Sequence, residues 1–212
     1  MLWIIIGITG SYFIGSLPTA YIFGRVLKGI DIRKFGSGNV GATNAVRVLG
    51  KRIGLVVLLI DILKGVLPVV FIGDYILSKG INISPEAARI LLGLGCIFGH
   101  NWTVFLRFKG GKGVACTFGV LIGLAIRIGG IKIVLGLTIL TWLIIFSITR
   151  IVSLASVVSV MVLPAYMVLF KESKILIISS LMLSIFIILR HRANLKRFFQ
   201  GKEPRMTFKK PR

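Results

Sequence analysis

Seven stretches of this chain are too apolar to be hidden inside a water-soluble fold. They run 1–23, 53–72, 85–106, 114–128, 131–148, 152–170 and 174–189. A helix needs about 20 mostly apolar residues to cross a bilayer. The fourth stretch is short and ends at Gly129-Gly130, between Arg127 and Lys132. Composition closes off the alternatives. Hydrophobic residues make up 56% of the 212, against roughly 45–50% in soluble domains. A soluble chain of this length buries only about 70% of its surface. Disorder is excluded by the same apolar content. The expectation is an all-α, polytopic membrane helix bundle forming one domain over 1–212. The first ten residues, MLWIIIGITG, carry no basic start and no small-residue cleavage pattern, so they read as a retained helix rather than a signal peptide.

Charge sets the orientation. The chain has 27 Lys+Arg against 6 Asp+Glu, a formal net charge of +21. Such a balance in a soluble domain would suggest nucleic acid, but the apolar bulk argues against that partner. Twenty of the basic residues fall in 24–52, 107–113, at 150 and in 190–212, and five fall in the alternate connections. The positive-inside rule places the first set in the cytoplasm, with the N-terminus outside and the C-terminus inside, as seven crossings require. Cys96 and Cys116 lie in apolar sequence without metal spacing and read as small buried hydrophobes.

Chemistry is concentrated in three polar segments on the basic side. In 35–51, FGSGNVGATNAVRVLGK, Gly36, Gly38 and Gly41 alternate with small polar residues. Glycines let successive amides form an anion-binding nest, and a helix starting near Gly41 would add its positive end. Thr43, Asn44, Arg47 and Lys51 then fall close to one helical face. In 108–117, FKGGKGVACT, a basic glycine turn carrying Lys109 and Lys112 opens into an apolar helix, a phosphate-binding logic without Walker A spacing. In 189–204, His191 and Asn194 share a helical face, His191 can take a proton near neutral pH, and Leu195, Phe198 and Phe199 suit the lipid side of an interfacial helix. Inside the second stretch, Asp61 and Lys64 form either a structural ion pair or part of a site wall; His100-Asn101 reads as packing or wall. Ser153, Ser156 and Ser159 recur at the spacing of a close helix contact. Carboxylates are scarce on the basic side, which disfavours a divalent-metal site. Two anionic groups brought together at the bilayer surface suggest transfer between phosphate-bearing molecules, at least one a lipid.

The segments GSLPTAYIFGR (15–25), SGNVGATNAVRVLGK (37–51), DILKG (61–65), GHNWTVFLRFKGGKGVA (99–115) and HRANLKRFFQGKEP (191–204) together resemble the bacterial membrane-integral glycerol-3-phosphate acyltransferases of the PlsY type. The resemblance implies acyl transfer from acyl-phosphate to the 1-hydroxyl of sn-glycerol 3-phosphate, giving lysophosphatidate for phospholipid synthesis in the bacterial inner membrane. It implies no cofactor and no obligate protein partner. It marks Ser37 and Arg47 as essential, assigns Gly110, Gly111, Lys112 and Gly113 to glycerol 3-phosphate, and draws in His191, Asn194 and Glu203. The His-x4-Asp signature of other glycerol-phosphate acyltransferases is missing, since Phe105 and Lys196 follow the two histidines. On this reading Ser37, Asn39 and Arg47 with the 36–41 nest hold one phosphate, Lys112 and its loop help hold the other, and His191 or a substrate phosphate acts as base. A transporter or flippase for a phosphorylated lipid is the alternative, and a scaffold that only binds anionic lipid is a third reading.

Overall fold

The structure, a computed structural model, describes residues 2–206. Met1, which opens the first expected helix, and Lys209, Lys210 and Arg212 of the basic tail lie outside the described residues. Those described are helices joined by short turns, without strands. They form two compact units, 1–129 and 130–212, dividing at the Gly129-Gly130 boundary.

The first unit holds α1 (Leu2–Ser16), α2 (Thr19–Lys28), α3 (Ala42–Leu49), α4 (Lys51–Leu67), α5 (Gly73–Leu77), α6 (Pro85–Asn101) and α7 (Val114–Arg127). Its main helix pairs are α1 with α6 and α4 with α7. Both depend on close backbone approach. A β-carbon at Gly15 would overlap the Cys96 carbonyl, and one at Gly119 would overlap that of Ile62. Small residues at such crossings let helices approach where no hydrophobic drive separates protein from lipid.

Proline explains where the elements depart from the expected stretches. The first stretch is two helices, because Pro18 disfavours helical geometry at Leu17 and α1 stops at Ser16. The second runs longer than expected. Pro68 opens a π-helical turn, Pro68–Ile72, that leads into α5. Pro68 has no N–H for the Lys64 carbonyl four residues back, and the Cys96 thiol donates there at 2.9 Å. Cys96 therefore repairs a helix besides filling space. The connection over 24–52 is not structureless: it contains the end of α2, a 3-10 turn at Ile32–Lys34, and α3. Ala20, Ile32, Val40, Ala45, Leu49, Val57 and Leu106 close into a small core beneath it.

The second unit holds α8 (Ile131–Thr149), α9 (Val152–Leu169), α10 (Lys174–Arg190) and α11 (Arg192–Phe199). α9 packs against both α8 and α10. Pro164 within α9 deprives the Val160 carbonyl of its helical donor, and the Ser184 hydroxyl of α10 donates to it instead. α11 leaves α10 at 60°, with Phe199 exposed and Asn194 buried.

Among the described residues five helical segments are long and apolar enough to cross a membrane, or six when α10 and α11 count as one bent span. α7 has 14 residues, about 21 Å at 1.5 Å per residue, against a hydrocarbon core near 30 Å. Length therefore supports at most six of the seven expected crossings.

Candidate functional site: two basic loops and a tail clamp

Asn44 organises the first glycine-rich loop. α3 begins as expected, with Gly41 as its N-cap in an extended conformation. Asn44 in its first turn is 1% exposed and points back into the loop. Its Oδ1 accepts the Ser37 N–H at 2.8 Å, and its Nδ2 donates to the Ile32 and Phe35 carbonyls. The Gly38 N–H bonds the Phe35 carbonyl, and the Gly41 N–H bonds Asn39 Oδ1. Gly36 and Gly38 sit at φ 60° and 72°, where a β-carbon is disfavoured. Three amides of the expected nest are thus engaged within the loop, and Asn44 and Asn39 shape it rather than reaching outward with their oxygens. Glycine spacing alone does not distinguish a nest open to a ligand from a loop that satisfies itself.

The loop presents side chains. Ser37 and Arg47 are exposed, and Thr43 is half-buried. Lys51 does not share their helix. Gly50, at φ 97°, ends α3, and Lys51 is the first residue of α4, so the expected four-residue face ends at Arg47. Beside the loop, Asp31 caps the 3-10 turn and pairs with Arg33 at 2.7 Å. The hydrogen bond from the Arg33 guanidinium leads the effects that lower the Asp31 carboxyl to about 2. Arg25 and Arg33 both lie over the Tyr21 ring, at 5.4 and 5.2 Å from its centroid. This rim is strongly basic.

The second loop is anchored to the end of α6. The Gly110 and Gly111 N–H groups donate to the Asn101 and His100 carbonyls at 3.1 and 2.9 Å. They complete carbonyls that a helix end leaves without partners, so these two amides are not part of an anion nest. The glycines are needed for contact. A β-carbon at Gly110 would overlap the His100 carbonyl, one at Gly111 would overlap His100 Nε2, and one at Gly113 would overlap Asn101 Nδ2. Lys109 is exposed and Lys112 half-buried at the start of α7. Leu106, just before this loop, belongs to the same small core as Val40, Ala45 and Leu49 of the first loop.

Behind the second loop lies the Asp61–Lys64 pair, at 2.8 Å and 2% and 5% side-chain exposure. Thr19 Oγ1 donates to Asp61 Oδ1 at 3.1 Å, and Lys64 Nζ donates to the Leu17 carbonyl at 3.0 Å. Pro18 makes that carbonyl reachable by breaking the helix beside it.

In the second unit the third segment forms a clamp. Glu203 accepts from Ser153 Oγ at 2.7 Å and from Asn194 Nδ2 through Oε1, and from Arg197 Nε at 2.8 Å through Oε2. The Met206 N–H bonds the Arg150 carbonyl. Glu203 thus pins the tail to α9 and α11, and Asn194 faces it. Ser153, expected to serve helix packing, supplies a donor from 50 residues away. His191 is 3% exposed, with Nδ1 2.8 Å from the Ile187 carbonyl. A carbonyl can only accept, so Nδ1 carries the proton and Nε2 is the basic nitrogen of the neutral ring.

Burial pushes the Glu203 carboxyl up, but the hydrogen bonds from Asn194, Ser153 and Arg197 outweigh it and the net shift is downward. A carboxyl lowered on folding adds stability above its unfolded pKa, near 4.3, and that stability is lost as pH falls through the folded value. Hydrogen exchange at the Met206 amide, corrected for the intrinsic pH dependence, should therefore stay protected from pH 7 to about 4.3 and lose protection below it. Glu203→Gln should abolish that step. A flat profile to pH 3 in the unaltered protein would remove the clamp.

Among the described residues no group of three or more His, Cys, Asp or Glu is placed to hold a metal ion.

The family model for glycerol-3-phosphate acyltransferase matches residues 5–201. A glycerol-3-phosphate acyltransferase of Chlorobium phaeovibrioides is 41% identical over 99% of both chains. One from Chlorobium limicola is 39% identical over 94% of this chain and 95% of its own. The crystal structure of PlsY (YgiH), an integral membrane glycerol 3-phosphate acyltransferase, is similar in its glycerol 3-phosphate form at TM-score 0.83 and 34% identity, covering 96% of each chain. Its lysophosphatidic acid form is similar at TM-score 0.80 and 33% identity, covering 96% of this chain and 95% of its own.

Proposed function

This chain belongs to the glycerol-3-phosphate acyltransferase family, and on that premise we propose that it acylates sn-glycerol 3-phosphate with acyl-phosphate as donor. The products are lysophosphatidate and inorganic phosphate, and the reaction runs on the cytoplasmic face of a bacterial inner membrane. The whole chain, 1–212, acts as one acyltransferase domain. The twenty-to-five bias of basic residues supports that face, and an outside N-terminus goes with α7 as a seventh, short crossing.

The observation that carries this reading is the form of the two loops in the first unit. Each has a backbone already hydrogen-bonded, the first within its own segment and the second to the last carbonyls of α6, and presents basic or hydroxyl side chains: Ser37 and Arg47 on one, Lys109 and Lys112 on the other. Such loops suit two phosphates better than a metal or a covalent intermediate. Acyl-phosphate is a mixed anhydride and brings its own leaving group. The 1-hydroxyl oxygen attacks the acyl carbon, the bond from that carbon to the phosphate oxygen breaks, and the hydroxyl proton passes to a base. Arg47 and Lys112 neutralise phosphate charge, Ser37 and Thr43 donate hydrogen bonds, and a donor at the developing oxyanion is worth about 10²–10³ in rate. His191, with Nε2 as its basic nitrogen, is the candidate base, and a substrate phosphate is its rival. Asn44, Asn39 and the loop glycines hold the shape, and Asn194 and Glu203 hold the tail.

The purified protein, in detergent or lipid, should form lysophosphatidate and phosphate from palmitoyl-phosphate and glycerol 3-phosphate, and nothing from acyl-coenzyme A. Ser37→Ala should lower that rate about tenfold, as expected for a lost hydrogen bond near 1.5 kcal/mol. His191→Ala with a loss below tenfold, in folded protein, eliminates His191 as base. Absence of product from either donor eliminates acyl transfer and favours movement of a phosphorylated lipid across the bilayer.

A further inference from the structure

We propose that Asp61 and Lys64 are positioning residues for the acyl-transfer reaction. Asp61 faces His100 at the end of α6, and through that ring the pair sets where the Lys112 loop stands. This rests on the acyltransferase reading above and goes beyond it by giving the buried pair a task.

Three helix ends meet at the pair. Lys64 ties α4 to the broken end of α1 through the Leu17 carbonyl, and Asp61 ties it to α2 through Thr19. The end of α6 is drawn to the same break by separate bonds. Ser16 Oγ donates to the Gly99 carbonyl at 3.3 Å, Thr103 Oγ1 donates to the Ser16 carbonyl at 2.5 Å, and Tyr12 Oη donates to the Trp102 carbonyl at 2.7 Å. His100 stands between pair and loop. Its Nδ1 lies 4.0 Å from Asp61 Oδ1, too far for a hydrogen bond but close enough for the carboxylate to bias which ring nitrogen faces it. Its Nε2 lies against the α-carbon of Gly111, leaving no room for a β-carbon, and its carbonyl receives the Gly111 N–H. Lys112 is the next residue. A change in the pair therefore reaches the Lys112 backbone through one imidazole and one glycine.

A pair that served only stability could be replaced. Removing one member leaves an uncompensated buried charge, but exchanging both for apolar side chains of similar size is often neutral or stabilising. The positioning role is not replaced in that exchange, because Leu and Met offer His100 no charge. The test is Asp61→Leu combined with Lys64→Met, with His100→Ala made alongside. Each is measured for thermal unfolding in detergent and for kcat and for KM toward glycerol 3-phosphate and palmitoyl-phosphate.

The expected result is a double variant that unfolds within a few degrees of the unaltered protein. Its KM for glycerol 3-phosphate is raised about tenfold and its KM for palmitoyl-phosphate changed less than twofold. His100→Ala shows the same split. A folded double variant with unaltered KM values, or one in which both KM values rise together, overturns the proposal. If the double variant does not fold, His100→Ala decides, and an unchanged KM there overturns it. Failure of both to fold assigns the network to folding alone and also overturns it. If the unaltered protein makes no lysophosphatidate, the acyltransferase reading itself has failed. Activity in the unaltered protein without the split removes only the positioning role.

Discussion

Gly111→Ala should lower the rate of lysophosphatidate formation by at least about 100-fold while the bundle stays folded. A 100-fold loss corresponds to about 2.7 kcal/mol of transition-state stabilisation, the scale of one charge-assisted hydrogen bond with its geometry. The added carbon would overlap the His100 imidazole. That ring is 7% exposed and enclosed, so the loop has to yield. When it moves, the Gly111 N–H leaves the His100 carbonyl and Lys112 is displaced with it. The loss should fall on glycerol 3-phosphate turnover with little change in the far-ultraviolet circular dichroism. Gly129→Ala is the matched control, because no atom beyond its own chain neighbours lies within 4 Å of the position its β-carbon would take. Gly111→Ala with activity within threefold of the unaltered protein would mean that the loop's position is not critical.

Arg89→Met should cost about 1–2 kcal/mol of stability, the low end for a buried acceptor left without its donor, while kcat stays within a few-fold. Arg89 is 7% exposed inside α6. Its Nη1 donates to the Val69 carbonyl at 2.5 Å, in the π-helical turn, and its Nη2 pairs with Asp74 at 2.6 Å. Methionine matches the stem in length but leaves that carbonyl without its donor. Asp74 keeps a second partner in Arg127 at the end of α7, which holds the cost to the low end. Unfolding in denaturant, monitored in detergent, measures the effect. A change below 1 kcal/mol would show that the π-helical turn does not depend on Arg89.

Much of this was readable from side-chain types alone. Long apolar runs with basic connections point to a helix bundle because hydrocarbon permits little else, and the helix starting after Gly41 follows from glycine and small polar residues at its cap. The functions of particular polar groups were less accessible, because each depends on a partner far along the chain. Nothing near Pro68 indicates that the Cys96 thiol will donate to the carbonyl left without a donor at Lys64. Nothing near Pro164 indicates Ser184. Asn44 lies in register with Thr43 and Arg47, yet it turns inward, because the loop it faces has carbonyls and an N–H to satisfy. The glycines of 110–113 have the composition of an anion nest, but two of their amides are taken by the last carbonyls of α6. Lys51 falls on the right periodicity for the α3 face, and only the positive φ of Gly50 takes it off that helix.

The self-satisfied backbone of the two loops has a kinetic meaning. A loop that must order around its ligand loses about 1–2 kcal/mol of backbone entropy per residue fixed. Here the Gly110, Gly111, Ser37, Gly38 and Gly41 amides are bonded within the protein, so on the proposed reading substrate capture has little backbone left to order. Such a site binds as a rigid seat. The rate at which water-soluble glycerol 3-phosphate is captured is then set by diffusion and by the attraction of the basic rim, and it should fall steeply as salt screens that attraction.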